Sequence, residues 1–241
     1  MIRFLDVHKQ FGSRVVLNGF SLDVPDGKTT VLIGASGSGK SVTLKHVVGL
    51  LRPDSGSVEV DGRAVETLET EALTALRREI GFVFQSAALF DSLTIEENIR
   101  LGLLRQQLDP DEINARVTRS LGIVGLPDVL ERHPAELSGG MRKRVGIARA
   151  IALQPRYILW DEPTTGLDPV TSATMDLLMR RTRDELGVTS LIVTHDMRSA
   201  FTVGDRLAML HEGRVRAQGS VAEMQASTDP LVQQFINGRP E

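Results

Sequence analysis

The chain contains no cysteine, which excludes disulfides, thiolate catalysis and cysteine-ligated metal sites and suits a reducing compartment. It has no basic excess either. Lysine and arginine number 28 against 31 aspartate and glutamate, a net charge of −3 with both signs mixed along the chain, so no electrostatic footprint for nucleic acid is present and no such partner is expected. No apolar run approaches the length needed to cross a bilayer, and the segment after Met1, IRFLDV, reads as a strand rather than as a basic-then-apolar targeting peptide. Any membrane role is therefore expected to come through a partner. Internal repeats and low-complexity stretches are missing as well.

What is present begins at Thr29–Ile33, a short apolar and β-branched run of the kind that forms a central parallel strand. It leads directly into Gly34, Ala35, Ser36, Gly37, Ser38, Gly39, Lys40 and Ser41, followed by Val42, and fits the spacing G-x-x-x-x-G-K-[ST] without a mismatch. Glycines let the backbone curl so that successive N–H groups point at anionic oxygens, and the following helix adds the positive end of its dipole. Residues 34–42 are thus expected to cradle a nucleotide. Lys40 would reach the β- and γ-phosphates and the Ser41 hydroxyl would ligate Mg²⁺.

At 241 residues the chain is long enough for a single α/β domain, 1–241, with a smaller lobe. Strands are expected at 2–7, 15–17, 20–24 and 57–60, with Asp61-Gly62 as a two-residue hairpin signal. From about 86 to 155 the pattern turns helical, with a capping box at Thr94 to Glu97 and an N-cap followed by proline at Asp109-Pro110. This span reads as a helical insertion between two strands of one core. Strand and helix then alternate again, and a capping box at Ser220 opens a helical tail over about 220–241.

Two further segments point to the same chemistry. Residues 157–160, Tyr-Ile-Leu-Trp, read as a strand covered on both faces, and ligands in such sheets lie beyond the carboxyl ends of the strands. Asp161 and Glu162 sit there. Asp161 would belong to the Mg²⁺ shell, and Glu162 would polarise the water that attacks the γ-phosphate. Ser138, Gly139 and Gly140 precede a helix and form a second anion site, which one nucleotide already held by residues 34–41 has little need of. The economical solution is a nucleotide held by a second copy of the chain. Gln85 ends a strand where core gives way to helices, so its amide would sense Mg²⁺ or the attacking water, and His195 at another strand end would hydrogen-bond the γ-phosphate. Phe11 either stacks on adenine or belongs to the core. The run Arg142-Lys143-Arg144 reads as a solvated or partner-facing helix surface.

Along essentially its whole length the sequence resembles the ATP-binding cassette (ABC) ATPases, the motor subunits of ABC transporters. The resemblance implies a P-loop NTPase (RecA-like) α/β core with an antiparallel β-subdomain and a helical insertion. It makes Gln85 the Q-loop, residues 137–141 the signature, Asp168 a nucleotide-contacting residue of the D-loop and His195 the switch histidine, and it places Phe11 where the family has its adenine-stacking aromatic. It also implies Mg²⁺ and ATP as ligands, and a head-to-tail dimer with two ATPs sandwiched between the P-loop of one copy and the signature of the other. Met141, where most signatures have glutamine, and the stretches PAELSGGMRKRVGIARAIA and DPLVQQFINGRP are similar to the Mla-type phospholipid and solvent-tolerance transporters. That similarity implies movement of phospholipids between bacterial membranes, integral membrane permease subunits, an MCE-type substrate-binding protein, a STAS-domain protein in some systems, and a place on the cytoplasmic face of a bacterial inner membrane; the alternatives are an importer or exporter ATPase for another substrate and a soluble ABC mechanoenzyme.

Overall fold

The computed structural model describes residues 1–239. In chain order the elements are β1 (Ile2–Phe11), β2 (Arg14–Val24), β3 (Thr29–Ile33), α1 (Lys40–Val47), β4 (Ser55–Val60), β5 (Arg63–Ala64) and α2 (Thr70–Arg78). Next come β6 (Ile80–Val83), α3 (Ile95–Leu103), α4 (Pro110–Ile123), α5 (Gly139–Ala152), β7 (Tyr157–Asp161) and α6 (Pro169–Leu186). The chain continues with β8 (Thr189–Thr194), α7 (Met197–Val203), β9 (Arg206–His211), β10 (Arg214–Gly219), α8 (Val221–Gln225) and α9 (Pro230–Ile236). Two compact units divide it, residues 1–77 with the chain from 189 onward, and residues 78–188.

The first unit holds two groups of strands. An antiparallel sheet runs β2-β1-β4-β5, and its hydrophobic face carries an edge-to-face pair of Phe4 and Phe20 with centroids 5.1 Å apart. The strands expected at 15–17 and 20–24 are one strand, β2. The Asn18-Gly19 pair that reads as a break is absorbed by register shifts opposite it, on either side of Val7. Asp61-Gly62 does turn β4 into β5, both residues having positive φ. In the other group β3 lies between β8 and β9, parallel to both, and β10 returns antiparallel to β9. All residues of β3 and β8 are buried, as in strands covered on both faces, the threonines and Ser190 at their ends included.

In the second unit β6 and β7 pair in parallel, and Tyr157, Ile158, Leu159 and Trp160 are fully buried. Between them in sequence lie α3, α4 and α5. Thr94 caps α3 through the expected box with Glu97, Asp109 caps α4 with Pro110 at its first turn, and Ser138 caps α5. α5 packs on α3 and α4 through an apolar face that includes Val145, Ala148 and Ile151. The tail expected to 241 includes α8 and α9; its last two residues, Pro240 and Glu241, lie outside the described residues.

Candidate functional site

In the first unit β3 delivers the chain to Gly34, and α1 starts at Lys40. Gly39, the residue before the helix, has φ 107° and ψ 5°, and a Cβ there would lie 2.7 Å from Val16 Cγ1, so the loop closes only with glycine. No side chain caps α1 and no acid sits in its first turn, leaving the positive helix end, with Ser41 and Val42 on it, to an external anion. Lys40 is 5 % exposed, and its ammonium donates to the carbonyls of Gly34 (2.9 Å) and Ala35 (3.1 Å). Arg14 donates to the Gly37 carbonyl at 2.8 Å and pins the tip of the loop. The buried Ser38 hydroxyl has no partner. A curl of amides, a cation and an unsatisfied hydroxyl suit a polyphosphate.

Phe11 ends β1 and is 46 % exposed, so it is not a core aromatic. The Lys9 ammonium lies 5.6 Å from its ring centroid and bonds Asp54 at 2.6 Å, which holds the Asp54 carboxyl below its ordinary range. His195 follows β8 directly and is exposed, and Asp196 next to it caps α7 through Ser199.

In the second unit β7 ends at Asp161, and the next residue, Glu162, is 8 % exposed with φ 49°. A left-handed glutamate is unusual and marks a constrained turn. Thr165 holds it from within, donating its hydroxyl to Glu162 Oε2 at 3.1 Å. Ser138 accepts from the Met141 amide at 3.3 Å as the cap of α5. Gly140 packs so closely on α6 that a Cβ would lie 2.8 Å from Thr171 Cγ2. Asp168 caps α6: one carboxylate oxygen accepts the amides of Val170 and Thr171, the other the Thr171 hydroxyl at 2.5 Å, and these bonds, the hydroxyl's above all, lower its pKa. Ser138, Gly139, Gly140 and Asp168 line one cavity of about 500 Å³. Gln85 is exposed just beyond β6, in a segment where Ala87 and Ala88 both have positive φ.

Several residues that shape these segments escape a sequence reading. Arg149 on α5 donates to the carbonyls of Ala87 (2.8 Å) and Ala88 (2.6 Å), and the buried Asn98 bonds Phe90, Leu93 and Thr94. The basic run of α5 is not a solvated surface throughout. Only Arg142 is exposed, and Lys143 and Arg144 are half-buried; all three end on backbone carbonyls, Arg142 on Leu137, Lys143 on Pro163 and Thr165, and Arg144 on Val124.

A parallel strand feeding a glycine-closed anion loop with a buried lysine at the following helix start defines a P-loop nucleoside triphosphatase. The chain belongs to the ABC transporter family, which it matches over residues 17–165, and it is an ATP-binding, ATP-hydrolysing cassette of that family with an antiparallel β-subdomain and a helical insertion. It is 41 % identical to the chloroplastic protein trigalactosyldiacylglycerol 3 of Arabidopsis thaliana, over 99 % of this chain and 74 % of that one. It is 40 % identical, over 96 % of its length, to a probable ribonucleotide transport ATP-binding protein of Mycobacterium leprae (67 % of that chain) and to the sulfate/thiosulfate import ATP-binding protein of Mycobacterium bovis (65 % of that chain). Among solved structures it is similar to a dimeric post-hydrolysis state of the cassette MJ0796 bound to ADP and phosphate (TM-score 0.83, 33 % identity, covering 92 % of this chain and 99 % of that one). It is also similar to cbiO1 of Clostridium perfringens, part of an ABC transporter complex (TM-score 0.86, 29 % identity, covering 97 % of this chain and 93 % of that one).

No cluster of three or more histidine, cysteine or acidic residues able to hold a metal occurs among the described residues. The donors expected for Mg²⁺, the Ser41 hydroxyl, the Asp161 carboxylate and the Gln85 amide, are all hard oxygens. Each is a donor type that Mg²⁺ accepts beside phosphate and water.

Proposed function

We propose that this cassette works as a homodimer that closes on two ATPs and reopens after hydrolysis, driving integral membrane permease subunits from the cytoplasmic face of a membrane. Residues 34–42 hold the phosphates, with Lys40 neutralising the β- and γ-oxygens, and Phe11 stacks on the base. Ser41, Asp161 and Gln85 hold Mg²⁺, which when bound supplies charge neutralisation at the phosphates. Glu162 accepts the proton of the attacking water, and His195 donates to the γ-phosphate. Ser138, Gly139, Gly140 and Asp168 complete the site of the second copy. Residues 86–155 act as the helical subdomain beside the permease, and 220–241 as a docking tail.

The observation that carries this reading is the P-loop itself, with its buried lysine and unpartnered Ser38 hydroxyl. Exchange of Glu162 for glutamine removes the base and keeps the shape, so steady-state hydrolysis is expected to fall about 10²- to 10⁴-fold while ATP binding persists. A variant that keeps most of its turnover contradicts the role of Glu162.

Two cargo classes have support. Phospholipid moved between bacterial membranes, with MCE-type and STAS-domain partners, is favoured by Met141, by the tail sequence and by a relative named for a galactolipid. A polar solute is favoured by relatives named for sulfate and for ribonucleotide transport, which match nearly as closely. Mass spectrometry of the purified membrane complex separates them: co-purifying phospholipid in excess of that carried by an unrelated permease supports the first, and its absence the second.

A further inference from the structure

Glu162 occupies a backbone conformation that few non-glycine residues adopt, φ 49°, and such a turn persists only when its surroundings fix it. Part of the fixing is local, from the Thr165 amide to the Glu162 carbonyl (3.3 Å) and from the Thr165 hydroxyl to the Glu162 carboxylate (3.1 Å). The rest comes from another element. Lys143 of α5 sends its ammonium across to the carbonyl of Pro163 at 3.1 Å and of Thr165 at 2.5 Å. These two acceptors lie one and three residues after Glu162, so a single side chain grips the turn on its far side. An ammonium has three donors and no acceptor, which suits a pocket of carbonyls. Burial lowers the pKa of Lys143, and the Glu162 charge opposes that effect.

The helix that carries Lys143 begins at the Ser138 cap, and Lys143 lies in its second turn. A turn and a half further on, Arg149 holds the carbonyls of Ala87 and Ala88 just beyond Gln85. One rigid rod thus ends at the second anion site and has side-chain ties to two of the segments assigned to hydrolysis. We propose that Lys143 is a positioning residue, a strut that transmits the state of the Ser138–Gly140 helix start to the turn carrying Glu162. An anion seated at Ser138 by one copy thereby sets the aim of Glu162 at the nucleotide that this copy itself holds, and the two sites of the dimer fire together. This inference rests on the assignment of Glu162 as the base.

The test uses the full chain with its permease complex. Lys143→Met removes both bonds at similar length, Lys143→Gln keeps an amide donor in case the first variant folds poorly, and Lys143→Arg restores a cationic donor; Glu162→Gln runs in parallel. Binding of N-methylanthraniloyl-ATP, the melting temperature, kcat, KM and the Hill coefficient for ATP are measured. With the strut removed, kcat is expected to fall about ten- to a hundredfold, the scale of a small misplacement at the reacting centre. The Hill coefficient should drop towards one, nucleotide binding and melting temperature should stay at parental values, and Lys143→Arg should recover most of the rate. Parental kcat and cooperativity in Lys143→Met, with Glu162→Gln inactive, overturn the strut alone. A loss of rate that follows a loss of melting temperature and is not recovered by arginine also overturns it. Retained turnover in Glu162→Gln overturns the assignment of the base, and the strut with it.

Discussion

His46 lies on the far turn of α1, buried, with Nδ1 bonded to the Val42 carbonyl at 2.7 Å and Nε2 without a partner. Burial pushes its pKa below the ordinary 6.5, against the Val42 bond and the carboxylates of Asp54 and Glu66 and with the Lys9 ammonium. The unfolded chain therefore binds the proton more readily than the folded one. Its contribution to stability is full above pH 6.5 and is lost as pH falls towards the lowered folded value. Melting temperature is expected to drop more steeply on acidification in the parent than in His46→Asn, which keeps a donor for Val42. Equal slopes in a pH series of thermal melts would contradict this. The residues of the proposed site are legible at this scale to very different degrees. Lys40, Ser41, Asp161 and Glu162 stand in patterns whose chemistry is local, whereas the acceptors of Lys143 lie 20 and 22 residues away and are backbone carbonyls that carry no mark in the sequence.

Helix starts are the elements read most directly, because a cap is chemistry between neighbours. Thr94, Asp109, Ser138 and Ser220 each cap the helix that the sequence places after them. Thr94→Ala opens the box of α3, and chemical denaturation should show a loss of about 1 kcal/mol. A loss indistinguishable from zero would mean that Asn98, which also binds the Thr94 carbonyl, holds the helix start unaided. Elements defined by distant pairing are the ones missed. β9 is placed by its parallel register on β3, Thr30 against Arg206 through Ile33 against Met209, and β10 by its return along β9. The turn between them, Glu212-Gly213, has two positive φ values without the asparagine or aspartate that usually announces them. β2 reads as two strands for the converse reason, since Asn18-Gly19 has turn composition but the chain before and after it pairs with β1, Leu17 against Lys9 and Phe20 against Val7.

At the scale of the whole molecule the assigned residues are shared out between the two units. The first carries the P-loop, Phe11 and His195; the second carries Gln85, the Ser138–Gly140 helix start, Asp161, Glu162 and Asp168. No helix among the described residues is long and apolar enough to cross a membrane. In the proposed reading the Ser138–Gly140 helix start has no use as an anion site within one copy that already has a P-loop, and this is the step on which the dimer depends. The most direct measurement is the molar mass of Glu162→Gln in solution by light scattering, with and without Mg²⁺ and ATP. The account predicts two 26.3 kDa chains joined only when ATP is present, and no joining when Ser138 is exchanged for arginine. A mass that ignores ATP, or an ATP-dependent pair untouched by Ser138→Arg, contradicts it.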